Sequence, residues 1–276
     1  MSPFFAAGDR VLLIDRKRRR YLVTLEPGGA FHSHTGVLEH DALIGRPEGI
    51  VVRSQRGTRF EAFRPTLEDF VLEMPRGAQV IYPKDLGAIL IQADIAPGHR
   101  VLESGVGSGA LSTALLRAGA HVVGYELRED FAVRARRNVE AFLGPGVEDR
   151  YQVELRDCYE GIGERDLDRV VLDLPEPWRA VPHVAGSLRP GGLIVAYTPS
   201  ITQVSELRAA LAAGPFALAA TVEVLQRGWH VEGAAVRPDH RMVAHTGFLT
   251  RARRVADEDE AAPSNGWSSP ERTERG

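Results

Sequence analysis

A single cysteine, Cys158, leaves the chain without an internal disulfide framework and suits a reducing cytoplasm. Long apolar runs are missing as well. No stretch approaches the roughly 20 residues that span a bilayer, so no membrane partner is expected. The start, Met1-Ser2-Pro3-Phe4-Phe5, lacks the charged and apolar regions of a secretory signal, and a cytoplasmic location is expected. Lysine is scarce: of 34 cations only Lys17 and Lys84 are lysine. An arginine-heavy composition favours forked contacts to phosphate, although genomic base bias produces the same excess.

A net charge of −3 looks wrong for a nucleic-acid partner until it is divided along the chain. Residues 257–276 carry −4, which leaves residues 1–256 at about +1. Residues 1–65 alone hold eleven cations and seven acids, five of the cations in the run Arg16–Arg20. This balance permits an RNA partner without demanding one.

Three regions follow from patterning. In residues 1–65, short β-type runs (Arg10–Ile14, Tyr21–Leu25, Ile50–Val52, Phe60–Phe63) alternate with turn signals such as Pro27-Gly28-Gly29, as in a small β-barrel-like module. Residues 66–255 open with a helix that Thr66 caps and Asp69 completes, with Leu67, Phe70, Val71 and Met74 on one face. Strands are then expected at 100–103, 121–126, 151–156, 169–174, 192–198, 218–227 and 245–249. Helices are expected at 108–118, 129–143, 177–188 and 202–213. This alternation predicts a doubly wound α/β fold. Residues 256–276, acidic and then rich in Pro, Ser and Gly, are expected to be disordered.

The chemistry gathers at strand ends. Val101-Leu102-Glu103-Ser104-Gly105-Val106-Gly107-Ser108-Gly109 reads as a strand ending in an acid, then a glycine loop opening a helix. Gly105, Gly107 and Gly109 allow close approach of a ligand, and the helix start at Ser108, Ala110 and Leu111 supplies free N–H groups. The spacing is G-x-G-x-G, not the G-x-G-x-x-G of dinucleotide folds. Glu103 would repel a pyrophosphate and attract an amino-acid ammonium. Glu126 ends the next strand and suits ribose hydroxyls. Asp157 follows the third strand, where a carboxylate can accept the adenine amino group or simply cap a turn. Together they fit S-adenosyl-L-methionine. Asp173-Leu174-Pro175-Glu176-Pro177-Trp178 ends another buried strand beside a rigid aromatic turn. His32, His34 and His40 cluster without a cysteine and read as surface residues, so no metal is expected.

The order Glu103-x-Gly-x-Gly-x-Gly, Tyr125-Glu126, Asp157, Asp173-x-x-x-Pro-Trp resembles the class I AdoMet-dependent methyltransferases. Tyr82-Pro83-Lys84-Asp85, Val195-Ala196-Tyr197-Thr198-Pro199, Ile201-Thr202-Gln203-Val204 and His245-Thr246-Gly247-Phe248-Leu249 narrow it to the TrmI-type tRNA adenine-N1 methyltransferases, in their actinobacterial form. The resemblance covers about residues 8–255. It implies a mostly parallel, seven-stranded Rossmann-like methyltransferase sheet behind a small N-terminal β-barrel-like domain. It also implies a homotetramer that forms 1-methyladenosine at adenine-58 of tRNA. Asp173 would then hold the adenine N6 amino group, and Tyr82 and Tyr197 would stack on or position the base. Either tyrosine alone is equally well a core residue with a bonded hydroxyl. The rival readings are a methyltransferase acting on a protein carboxyl or small molecule, and a non-catalytic tRNA-binding subunit. Retention of both the glycine loop and Asp173 in one chain argues against the second.

Overall fold

Short runs of β-type residues, punctuated by glycine or proline, set the first quarter of the chain. A computed structural model describes residues 2–77 and 79–256. Its first strands are β1 (Arg10–Asp15), β2 (Arg20–Thr24), β3 (Ala30–Ser33), β4 (Gly36–Glu39), β5 (Val51–Arg53) and β6 (Arg59–Phe63). Four of them form an antiparallel sheet in the order β2-β1-β6-β5, while β3 and β4 form a separate hairpin. That hairpin escaped the sequence reading because its strands are only four residues long, too short to impose a period. Phe31 fastens it to the sheet, with ring centroids 5.1 Å from Tyr21 and 6.0 Å from Phe60. These elements share their own core around Val11, Leu13, Leu25, Leu38, Leu43 and Phe60.

Helix α1 (Leu67–Glu73) begins where the capping pattern places it. The Asp69 N–H donates to Thr66 Oγ1 at 3.2 Å, and the Thr66 N–H donates back to Asp69 Oδ2 at 3.0 Å. Then come α2 (Pro83–Gln92), β7 (Arg100–Ser104), α3 (Ala110–Arg117), β8 (His121–Glu126), α4 (Glu129–Leu143), β9 (Tyr151–Leu155) and β10 (Leu167–Leu172). The chain continues with α5 (Val181–Ser187), β11 (Leu188–Thr198), α6 (Ile201–Ala213), β12 (Phe216–Glu223), β13 (Trp229–Glu232), β14 (Ala235–Pro238) and β15 (Phe248–Arg254).

Seven strands make the central sheet, in the order β12-β15-β11-β10-β7-β8-β9. Only β15 runs antiparallel to its neighbours. Side chains alternate between faces. Val101, Val171, Val195 and Leu249 pack against α1–α4, and Leu102, Val170, Leu172 and Ala252 pack against α5 and α6. With both faces covered, ligands are left the carboxyl edge, and the strand order reverses between β7 and β10.

Some expected boundaries move. β15 starts at Phe248, not His245, because His245 spends its side chain on the Pro199 carbonyl and Thr246 on Asp85 of α2. β12 ends at Glu223, and the carbonyl of Val224 accepts from Lys84 Nζ at 2.7 Å. The expected helix 177–188 is a 3₁₀ turn, Pro177–Ala180, followed by α5. Among the described residues no helix is long and apolar enough to cross a membrane. The tail expected to be disordered lies, from residue 257, outside the described residues.

Candidate active site

Parallel pairing brings the ends of β7, β8 and β10 side by side, and the loops that leave them touch. The Asp173 N–H donates to the Ser104 carbonyl at 2.9 Å, and the Gly105 N–H donates to the Tyr125 carbonyl at 3.0 Å. Gly105 has φ +89°, and a Cβ there would stand 2.1 Å from the Asp173 carbonyl oxygen. Only glycine permits that approach. Gly109, at φ +82°, is less crowded: a Cβ there would stand 3.1 Å from the Ala135 backbone on α4.

Glu103 is fully buried at the base of this junction. Its Oε2 accepts from Ser112 Oγ at 2.5 Å, while Oε1 has no hydrogen-bond partner. Burial pushes its carboxyl up to about 8, and the charges of Asp173 and Glu126 add to the rise. A buried carboxyl with an unmet oxygen suits an incoming ammonium. The Ser108 hydroxyl, also buried, is unmet as well. Glu126 shapes the loop above: Oε2 accepts from the Gly107 N–H at 2.9 Å and Oε1 from the Arg128 N–H at 3.0 Å. Each oxygen keeps a second lone pair for a hydroxyl donor.

Asp173 is half-buried, and burial followed by the charge of Glu126 pushes its carboxyl up to about 7. Tyr197 lies on the next strand, and its hydroxyl donates to the Thr246 carbonyl at 2.5 Å. Its hydroxyl is pushed up to about 12 by burial, with Asp85, Asp173 and Tyr82 contributing. Tyr82 stands at the N-cap position of α2 ahead of Pro83, and both Tyr82 and Asp173 are near enough to Tyr197 to act on its hydroxyl. Asp157 sits at the same edge beyond β9. Its Oδ1 accepts from the Tyr159 N–H at 2.8 Å, and its charge acts on Cys158 and Tyr159. Cys158 is buried, which pushes its thiol up to about 11. His40, from the histidine cluster, accepts at Nδ1 from the Glu26 N–H at 3.1 Å.

A narrow crevice of about 20 Å³ is lined by Glu103, Gly105, Ser108, Leu111 and Asp173 together with Gln79 and Val80. Gln79 and Val80 were missed in the sequence, and their only signal is their place just before Tyr82. Asn138 was missed too. It is buried on α4, and its Nδ2 donates to the carbonyls of Ser108 and Pro75, both at 2.9 Å. Lys84 Nζ donates to Asp85 Oδ1 at 2.9 Å and to Thr246 Oγ1 at 2.6 Å, which ties the start of α2 to the loop before β15.

Residues 61–238 match the family model described as the tRNA methyltransferase complex GCD14 subunit, and residues 4–52 match a TrmI-like N-terminal model. The tRNA (adenine(58)-N(1))-methyltransferase TrmI of Thermus thermophilus is 43% identical over 253 residues, 88% of this chain and 96% of that one. The tRNA (adenine(57)-N(1)/adenine(58)-N(1))-methyltransferase TrmI of Methanocaldococcus jannaschii is 32% identical, covering 88% and 94%. Among solved structures, a SAM-dependent O-methyltransferase from Thermotoga maritima shares 33% identity at a TM-score of 0.87, covering 92% of this chain and 96% of that one. The tRNA (m1A58) methyltransferase TrmI of Aquifex aeolicus shares 30% at 0.80, covering 92% and 100%.

Proposed function

Because the chain belongs to the TrmI family of tRNA (adenine-58-N1)-methyltransferases, we propose that it methylates N1 of adenine-58 in tRNA, with Asp173 holding the base. The observation that carries this reading is the close backbone approach of Gly105 to Asp173, which sets the turn bearing Asp173 against the glycine loop, in a crevice that Asp173 lines together with Glu103.

S-adenosyl-L-methionine supplies an electrophilic methyl group on a sulfonium. Glu103 Oε1 would take its ammonium, and the N–H groups that open α3 at Ala110 and Leu111 its carboxylate. Glu126 would hold the ribose and Asp157 the adenine. Leu127, which follows Glu126 and is 66% exposed, offers an apolar surface for the adenine face. On the substrate side, N1 of adenine attacks with its own lone pair. Transfer would make the N1–C bond and break the C–S bond, so no residue of this chain would be needed to take a proton. Positive charge appears on the ring, and Asp173 stabilises it while accepting from N6. A keto oxygen facing Asp173 would have no donor, so the carboxylate selects adenine over guanine. Tyr82 and Tyr197 border the same space and position the extruded base, which costs a few kcal/mol to unstack.

We assign residues 1–65 to an N-terminal module and 66–255 to the catalytic domain, supported by the separate core of β1–β6. A cytoplasmic homotetramer acting on tRNA completes the reading. Asp173→Asn, which keeps size but loses charge, tests it. Turnover should drop by about two to three orders of magnitude while calorimetric AdoMet affinity stays within a few-fold. Near-normal turnover would remove Asp173 from its role.

A further inference from the structure

Asp157 and Asp173 follow strands that lie three places apart in the sheet, about 14 Å at ordinary strand spacing. One residue, Tyr159, joins their loops, its backbone to one and its side chain to the other. The Tyr159 N–H donates to Asp157 Oδ1 at 2.8 Å, and the Tyr159 hydroxyl accepts from the Glu176 N–H at 3.0 Å. The Arg179 guanidinium lies 4.3 Å from the Tyr159 ring centre and pairs with the Glu176 carboxylate at 2.9 Å. The Tyr159 carbonyl stands 3.0 Å from His183 Nε2. Tyr159 therefore touches the Asp157 carboxylate on one side and Glu176, Arg179 and His183 on the other.

We propose that Tyr159 is a positioning residue that couples the nucleoside end of the cofactor site to the placement of Asp173. A ligand engaging Asp157 orders the Asp157–Tyr159 turn. Tyr159 then fixes the Glu176 amide, three residues beyond Asp173, and with it the turn that carries the carboxylate. The inference rests on the roles proposed above for Asp157 and Asp173. Coupling of this kind is reciprocal: cofactor raises affinity for the acceptor by the factor by which the acceptor raises affinity for cofactor.

Calorimetry of S-adenosylhomocysteine binding, with and without saturating unmodified tRNA transcript, measures that factor. Tyr159→Phe keeps the ring under Arg179 and deletes only the acceptor for the Glu176 N–H. In the unaltered protein, tRNA should tighten the nucleoside several-fold. In Tyr159→Phe the ratio should fall toward one, a loss of about two- to tenfold from one hydrogen bond. The variant's KM for AdoMet at saturating tRNA should rise by that factor, while its S-adenosylhomocysteine affinity without tRNA stays put. A merely structural tyrosine would lower the melting temperature and leave the ratio intact. A ratio of one in the unaltered protein, or an unchanged ratio in the variant, overturns the inference. Asp157→Ala separates the two levels. If it leaves S-adenosylhomocysteine affinity untouched, the proposed nucleoside site fails and the inference with it. If it weakens binding while Tyr159→Phe keeps its ratio, only the coupling fails.

Discussion

Glu103 and Asp173 line one crevice, and the charge of Asp173 adds to the rise that burial imposes on Glu103. Asp173 works as an anion in the proposed reaction, yet burial and Glu126 hold its carboxyl at about 7. The free enzyme's kcat/KM should therefore fall as pH drops through about 7, and Asp173→Asn should abolish that limb. Glu103 adds a linked effect on stability. Its carboxyl is raised, so the folded, ligand-free protein binds a proton that the unfolded chain has released. Between the ordinary value of 4.5 and about 8, this group makes folding less favourable as pH rises. Glu103→Gln should flatten that part of the stability profile, read as melting temperature against pH without cofactor. An unchanged slope would mean that the carboxyl is not strained by its burial.

At the scale of elements, the loop is held from beneath by a helix. Asn138 on α4 donates both amide hydrogens to loop carbonyls, one at Ser108 and one at Pro75. Asn138→Ala leaves these oxygens without their donor and should cost about 1–3 kcal/mol. Chemical unfolding measures that cost, and a parallel fall in AdoMet affinity is expected. No loss of either would make the anchor dispensable. Nothing in the sequence marked Asn138, because a buried asparagine and a surface one read alike on a helix. Strands β7, β8 and β10 were legible because apolar runs ended at acids and glycines, and α4 matched its expected span of 129–143. The span from Val224 to Gly247 was not. Its strands β13 and β14 have four residues each and expose Trp229, Val231 and Val236, so no buried face imposed a period. The fine register of the site depended on long-range contacts, Gly105 to Asp173 and Lys84 to Thr246, which spacing along a chain does not reveal.

Over the whole molecule, charge is divided in a way that serves an RNA substrate. Residues 1–65 carry a surplus of four positive charges in a chain of net −3. At the β1–β2 turn, Arg19 pairs with Asp15 and Arg20 with Asp69, whereas Arg16, Lys17 and Arg18 are exposed. If these three meet phosphates, replacing them with alanine should weaken tRNA binding. It should also flatten the dependence of log affinity on log salt by roughly one unit per lost contact. Cofactor affinity should not change. A salt slope equal to that of the unaltered protein would exclude the turn from the RNA interface.

The central claim joins an atom, a base and a position. Its most direct test is transfer of labelled methyl from AdoMet to two unmodified tRNA transcripts, one with adenine-58 and one with guanine there, followed by mass spectrometry of the nucleosides. The account predicts 1-methyladenosine from the first transcript and none from the second. Label at any other nucleoside or atom, or 1-methyladenosine in equal amount from both transcripts, would contradict it. So would the absence of transfer by a protein shown to bind AdoMet.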